Sequence, residues 1–320
     1  MGGALENVVI QAGRCSITLL PELGGKISSI LVDSLELLQT PLKPLAGRTR
    51  RMAFSAGDAS GWDECFPSVG ECVVETEIGS VTVPDHGDLW RIAWDVLERT
   101  KDSATMRANG FSLPLELTRS LILSEYASGW RIHLMYTVAN RGTVPLPWSW
   151  VAHPLFTTEP GDRIVLPASV KTLRLEGSGG NRLGGSGADI AWPLARLADL
   201  SFDDLSLAKG AKTGIGDKLF TGIMEDDWCS LERPGVGLRL TVRFDPALTP
   251  YLGLWICYGG WPDEAGPKQV CVALEPSTAP VDSLAETGPW SRSLAPGEAF
   301  SWPMEVQIDR MTNQTEAHPV

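Results

Sequence analysis

The stretch WRIHLMYTVANRG, residues 130–142, shows the pattern that decides the fold class. The apolar residues Ile132, Leu134, Tyr136 and Val138 alternate with their neighbours, and an Asn-Arg-Gly sequence ends the run. Because successive side chains of a strand point to opposite faces of a sheet, a period of two predicts a half-buried antiparallel strand.

Seven further stretches have the same β-rich character. They cover residues 15–32, 81–98, 115–124, 237–245, 251–259, 269–276 and 300–309. The chain also contains 33 Gly and 23 Pro, which separate these short runs. Helices can therefore only be minor connectors, and the best helical candidate is the short segment 193–200. The sequence predicts a mainly β protein.

The composition of the chain bears on the size of its core and on which partners it can bind. The chain has 320 residues, 43% of them hydrophobic and 12 of them Trp, so it can bury a large core. A net charge of −12 leaves no basic surface for nucleic acid. No run approaches the ~20 apolar residues of a membrane span, and the first residues do not resemble an export signal. We expect a cytoplasmic protein with neither nucleic acid nor membrane as partner.

Two local patterns point away from metal and nucleotide sites. The six Cys form no CxxC pair and no Cys/His cluster with zinc spacing, so reduced thiols and no metal are expected. The Gly-rich segment 176–190 begins like a dinucleotide-binding fingerprint but has Arg182 where the third Gly belongs. That segment is predicted to be a surface loop.

Three residues far apart in the chain could together transfer protons. His86 and His153 each lie among turn residues and aromatics at a strand end, where function and structural hydrogen bonding are about equally plausible. Glu275 interrupts the apolar strand 270–274, and burial there would raise its pKa, whereas an exposed strand end would not. Only the fold can decide whether the three side chains meet.

The segments around these residues resemble the aldose 1-epimerase or galactose mutarotase superfamily. The similar segments follow the family's order: LLPELGGKISSILV (19–32), GWDECFPSVG (61–70) with PDHGDLW (84–90), HPLF (153–156) and ALEPSTAP (273–280), with a weaker match at GIGDKLFTG (214–222). The resemblance spans residues 10–308. It implies a single domain over 1–320, a large antiparallel β-supersandwich followed by a polar tail at 309–320.

The resemblance also implies an activity that needs no cofactor. Glu275 would take the proton of the C1 hydroxyl of an aldose while His153 delivers one to the ring oxygen, which interconverts the α and β anomers. His86 would hydrogen-bond near the ring oxygen, and Asp217 would bind another hydroxyl. Asp63 could supply a further hydrogen bond to the sugar.

Aromatic and basic residues complete the predicted sugar site. Trp62, Trp90, Trp255 and Trp261 could stack on the apolar face of a pyranose, although Trp more often packs in a core. Many members of the family have an Arg soon after the Phe-Pro of this region, where this chain has Glu71. Arg51, next to Arg50, could reach the site instead and would suit a phosphorylated or sulfonated sugar; a solvated pair is the alternative.

The sequence is also compatible with two other functions. A non-catalytic carbohydrate-binding or sensing protein would not need both Glu275 and His153. A glycoside hydrolase would need a second carboxylic acid facing the first, for which Asp63 or Glu64 could be considered.

Overall fold

The computed structural model describes residues 6–311, which form 25 strands and six single turns of 3-10 helix. The strands are β1 (Val8–Ala12), β2 (Cys15–Leu20), β3 (Lys26–Val32), β4 (Leu35–Glu36), β5 (Trp62–Cys65), β6 (Cys72–Thr76), β7 (Gly79–Val83), β8 (Asp95–Arg99), β9 (Ser103–Asn109), β10 (Leu115–Tyr126), β11 (Gly129–Asn140), β12 (Leu146–Trp148), β13 (Val151–Thr157), β14 (Arg163–Val165), β15 (Thr172–Ser178), β16 (Asp189–Ala191), β17 (Leu194–Arg196), β18 (Phe202–Asp204), β19 (Ile215–Thr221), β20 (Trp228–Arg233), β21 (Leu238–Phe244), β22 (Tyr251–Tyr258), β23 (Val270–Ser277), β24 (Arg292–Leu294) and β25 (Ala299–Arg310). The 3-10 turns are Pro21–Leu23, Phe54–Ala56, Leu89–Arg91, Gly179–Asn181, Ala211–Thr213 and Pro234–Val236.

Two large antiparallel sheets dominate the architecture. The first has 11 strands in the order β1-β2-β3-β5-β13-β23-β22-β19-β15-β16, with β4 paired to β3. The second has eight strands in the order β14-β20-β21-β25-β11-β10-β9-β8. Buried side chains from both sheets form one hydrophobic cluster. The predicted large antiparallel sandwich is confirmed. The last strand runs to Arg310, and positions 312–320 of the predicted tail lie outside the described residues.

The strand predicted at 130–142 is confirmed as β11. Its side chains alternate as expected: Leu134 and Tyr136 are buried, whereas His133 and Met135 are exposed. Tyr136 lies 4.6 Å, ring centre to ring centre, from Trp150, a residue between β12 and β13. The apolar face of the second sheet therefore packs directly against residues that adjoin the first.

The helix predicted at 193–200 is wrong. Residues 194–196 form β17, which pairs antiparallel with β18 as a hairpin. Leu200 has a φ of 73°, a left-handed conformation that no α-helix contains. In this segment Ala195 is buried while Leu194 is 55% exposed, so the apolar spacing that suggested a helix does not reflect burial.

A buried ion pair joins the two sheets. Glu64 of β5 is fully buried and accepts hydrogen bonds from Arg119 of β10, the Tyr136 hydroxyl and the Trp150 indole, each at 2.9 Å. Burial raises the pKa of Glu64 above its ordinary value, and Arg119 opposes this effect. Since β5 is the neighbour of β13, this contact also fixes the strand that carries His153.

Candidate active site

A cavity opens over the middle of the 11-stranded sheet. Its volume is about 370 Å³, which suits a small ligand. The lining residues come from β13, β19 and β22 and from the loops around them: Ala53, Phe54, Ser55, Val69, Gly70, Asp85, His86, His153, Lys218, Trp255, Trp261, Gln269 and Asp282. Strands β13, β23, β22 and β19 are consecutive in the sheet, which is why residues far apart in sequence meet here.

Glu275 and His153 lie side by side at this cavity. His153 Nε2 is 3.6 Å from Glu275 Oε1, across the pairing of β13 with β23. The other carboxylate oxygen, Oε2, accepts a hydrogen bond from Lys218 Nζ. Oε1 has no hydrogen-bond partner among the described residues, although it is buried. Glu275 does not line the cavity itself but contacts two side chains that do. The structure thus brings the predicted proton-transfer pair together.

Burial controls the protonation of this pair. It raises the pKa of Glu275 above its ordinary value, while the ammonium group of Lys218 lowers it. Burial also holds the pKa of His153 well below its ordinary value, with further contributions from His86, Lys218 and Lys26. His153 is therefore a neutral imidazole at neutral pH.

His86 is held at the cavity by its loop and by two neighbours. Its ring stacks on Phe54 at 3.8 Å with an interplanar angle of 2°, and it meets the His153 ring edge to face at 5.6 Å. Its Nδ1 lies 3.0 Å from Asp85 Oδ1. Although burial opposes it, this contact holds the pKa of Asp85 below its ordinary value. The two imidazoles predicted to act together are thus neighbours.

The backbone that carries His86 adopts a left-handed conformation. His86 and Gly87 have φ values of 58° and 67°. A Cβ atom added at Gly87 would lie 2.1 Å from the carbonyl oxygen of Phe66. Arg91 donates to the carbonyl oxygens of Asp85 and Gly87, which fixes the loop from its other side. The close approach at position 87 permits only Gly.

We expect Gly87→Ala to lower the free energy of unfolding by at least about 2 kcal/mol, because it adds a steric clash to a strained φ. Urea denaturation measures this. Gly47→Ala is the control, since a Cβ there meets no atom of the described residues within 4 Å. Equal stability of the two variants would contradict this account of the loop.

Two of the predicted sugar contacts have other partners. Asp217 is fully buried and accepts hydrogen bonds from Ser178 Oγ at 2.6 Å and from Arg182 Nε at 2.9 Å. Asp63 pairs with Lys26 Nζ at 2.6 Å and with Arg48 at 3.3 Å. Neither carboxylate lines the cavity. A sugar could reach them only if these ion pairs opened.

The remaining predicted contacts are aromatic and basic residues, and some of them line the cavity while others do not. Trp255 lines the cavity and donates from its indole to Gln269 Oε1 at 3.0 Å. Trp62 is fully buried in the hydrophobic core, and Arg51 is an exposed residue that does not line the cavity. Trp261 also lines the cavity, whereas Trp90 is buried and does not.

Sequence reasoning missed Lys218, Asp282 and Phe54. Lys218 Nζ lies 3.8 Å from Asp282 Oδ1 in addition to its contact with Glu275. Lys218 follows Asp217 directly in β19, and because the family pattern assigns the sugar contact to the Asp, no feature of the sequence singled out the Lys. Within residues 6–311, no group of three His, Cys, Asp or Glu is arranged to hold a metal ion.

Solved structures with a similar fold identify the architecture. A putative aldose 1-epimerase from Escherichia coli K12 is similar over 96% of this chain and 100% of its own, with a TM-score of 0.72 and 17% identity. The chain has the galactose mutarotase-like fold. A galactose mutarotase-like protein from Lactobacillus casei gives a TM-score of 0.63 at 16% identity, covering 95% of this chain and 100% of its own. An aldose epimerase homologue from C. elegans gives a TM-score of 0.65 at 12% identity, covering 97% of this chain and 100% of its own.

These similarities concern the fold, because the identities are low. No protein-family model matches the chain, and neither does any curated protein sequence. The predicted resemblance to galactose mutarotase-like proteins is confirmed at the level of three-dimensional structure. In the part of the chain that the structure describes, no helix is long and apolar enough to cross a membrane.

Proposed function

We propose that this protein is an aldose 1-epimerase that interconverts the α and β anomers of a neutral aldose. One observation carries the proposal: the buried Oε1 of Glu275, which has no hydrogen-bond partner among residues 6–311, lies 3.6 Å from His153 Nε2, beside a cavity of sugar size. A carboxylate oxygen without a donor is costly to bury, so a substrate hydroxyl that donates to it would relieve that cost.

The chemistry requires one proton to move from the C1 hydroxyl to the ring oxygen. Glu275 accepts the hydroxyl proton while the bond between C1 and the ring oxygen breaks and C1 becomes an aldehyde. His153 donates its N–H proton to the ring oxygen, a role open to a neutral imidazole. After rotation about C1–C2, reclosure runs in the opposite sense: His153 takes the proton of the hydroxyl that attacks C1, and Glu275 returns its proton to the C1 oxygen. Both groups are restored, and the other anomer is formed.

The lining of the cavity favours a pyranose. Phe54 and Trp261 lie 6.0 Å apart, ring centre to ring centre, and Trp255 adds a third aromatic surface. Such rings stack on the apolar face of a sugar. His86 and Asp282 present polar groups for the hydroxyls, and Asp282 Oδ1 has no hydrogen-bond partner among the described residues.

Two observations disfavour the other functions considered for this chain. For glycoside hydrolysis, the possible second acids Asp63 and Glu64 are buried in ion pairs with Lys26, Arg48 and Arg119. A purely binding protein would gain nothing from a buried carboxylate oxygen beside a neutral imidazole. Acid–base catalysis uses both groups.

The charges of the cavity favour a neutral sugar over an anionic one. Within the described residues, no Arg lines the cavity, and its one Lys, Lys218, already contacts Glu275 and Asp282. A phosphate or sulfonate group would meet the carboxylates of Asp85 and Asp282 without a free cation.

A panel of freshly dissolved single anomers tests the proposal. We expect the protein to accelerate the change in optical rotation of at least one neutral aldose among glucose, galactose and mannose. The 6-phosphates of glucose and mannose should react at least about tenfold more slowly, since one unfavourable charge contact of 1.4 kcal/mol gives that factor. Acceleration of none of the sugars would refute the enzyme function, and a preference for the phosphates would refute the neutral substrate.

A further inference from the structure

Lys218 occupies an unusual position between the cavity and two carboxylates. Its ammonium group donates to Glu275 Oε2 and lies 3.8 Å from Asp282 Oδ1, and the side chain is only 11% exposed. The ring of Phe220 covers it at 4.9 Å. Burial works against the ammonium form, but Glu275 and Asp282 outweigh burial and raise the pKa of Lys218. A Lys held protonated in this way is a poor proton donor and a strong electrostatic partner.

The proposed base needs such a partner. A fully buried carboxylate without a cation nearby would take up a proton, and a protonated Glu275 could no longer accept one from the C1 hydroxyl. Lys218 contacts Oε2, and Oε1, on the side of His153, has no hydrogen-bond partner in the part of the chain that the structure describes. The ion pair therefore sets both the charge of Glu275 and the oxygen that remains available.

We infer that Lys218 is a positioning residue that keeps Glu275 ionised with Oε1 free for the substrate, and that Asp282 tunes this pair from the other side of the ammonium group. The inference rests on the proposed function, in which Glu275 is the base.

Several further groups surround Glu275, and their charges bear on its titration. They are Lys218 from β19, His153 from β13, Cys65 from β5, Cys271 from its own strand, and His86 and Asp282 from loops. Burial raises the pKa of both thiols, so they are neutral at the pH of interest. Lys218 is the group in direct contact that favours the carboxylate, and Asp282 disfavours it.

The pH dependence of kcat tests the inference with two substitutions of opposite sign. In the wild type, kcat should fall as the pH falls through the pKa of Glu275, since the protonated carboxyl group is not a base. Lys218→Met removes a favourable charge and should move the midpoint of this acidic limb upward by about 1 to 3 pH units. Asp282→Asn removes an unfavourable charge and should move it downward. Lys218→Arg should restore the position of the limb even if kcat stays low.

Either of two results would overturn the inference. One is an acidic limb that stays in place in Lys218→Met while kcat changes. The other is a shift of the limb in the same direction for Lys218→Met and Asp282→Asn. A loss of kcat with an unchanged limb would mean that Lys218 acts only on the shape of the cavity.

A stability cycle covers the case in which Lys218→Met folds poorly. The double variant Lys218→Met/Glu275→Gln removes both charges, so it should unfold at a higher urea concentration than Lys218→Met alone. If the effects of the two substitutions on the free energy of unfolding were additive, Lys218 and Glu275 would not be coupled, and the inference would be overturned. This cycle needs no catalysis, so it remains readable if the wild type accelerates no sugar, which would refute the proposed function instead.

Discussion

Replacing Glu275 with Gln is expected to slow anomer interconversion by about 10²- to 10⁴-fold, the usual contribution of a positioned general base. The amide keeps the shape of the side chain and can still accept a hydrogen bond from Lys218, but it cannot take the proton of the C1 hydroxyl. Binding of the sugar should persist, because the aromatic and polar groups that line the cavity are unchanged. Polarimetry measures the rate, and calorimetric titration measures the binding.

A carboxylate far from the cavity provides the matched control. Glu232→Gln on β20 breaks an exposed ion pair with Arg239 in the other sheet and should leave the rate within about twofold of the wild type. Turnover of Glu275→Gln that also stays within twofold would show that the base has been assigned to the wrong residue. Loss of binding along with turnover would show that Glu275 serves the architecture of the cavity rather than the chemistry.

Replacing Arg119 with Met is expected to lower the free energy of unfolding by about 3 to 5 kcal/mol, the cost of leaving a buried partner uncompensated. Glu64 would keep only the Tyr136 and Trp150 donors in a site with no exposure to solvent. The guanidinium also donates to the carbonyl oxygen of Gly25, so its loss leaves a second buried acceptor unpaired. Urea denaturation followed by Trp fluorescence measures the change.

An exposed ion pair supplies the control for this substitution. Arg141 pairs with Glu116 at 2.6 Å, and its side chain is 57% exposed. Arg141→Met should change the free energy of unfolding by about 0 to 1 kcal/mol, because solvent already screens the pair. If Arg119→Met were as mild as Arg141→Met, the contact between the sheets would contribute little to the fold.

Strands could be predicted wherever one of their faces is buried and the other is exposed. β11 shows this, because the buried Leu134 and Tyr136 alternate with exposed neighbours and create a period of two. The helix predicted at 193–200 is wrong because this segment has no such buried face. A short hairpin at the edge of the core buries only Ala195 there, so its apolar residues follow turn geometry rather than packing.

The site could be predicted in part. The family pattern had named His86, His153 and Glu275, and the structure places the two imidazoles at the cavity with Glu275 beside His153. Trp255, predicted as a stacking aromatic, lines the same cavity. Lys218 could not be found, because β19 is buried along both faces from Asp217 onward and shows no alternation. Which of the neighbours Asp217 and Lys218 points into the cavity depends on strand register, and a bulge lies in the pairing of β15 with β19.

The charge of the cavity also depends on Lys218, whose position the sequence does not predict. With Lys218 paired to Glu275 and Asp282, the described part of the cavity holds no free cation for an anionic sugar. The adjacent arginines at positions 50 and 51 suggested such a sugar from the sequence. Arg50 instead stacks over the ring of Phe111 at 4.9 Å, and Arg51 does not line the cavity.

Magnetisation exchange between the two anomeric protons of a neutral aldose at equilibrium tests the central claim most directly, since it observes the interconversion without any coupled reaction. With catalytic amounts of the protein, exchange peaks between the α and β signals should appear for at least one of glucose, galactose and mannose, and they should vanish with Glu275→Gln. Spectra for all three sugars that match those recorded without protein would contradict the account.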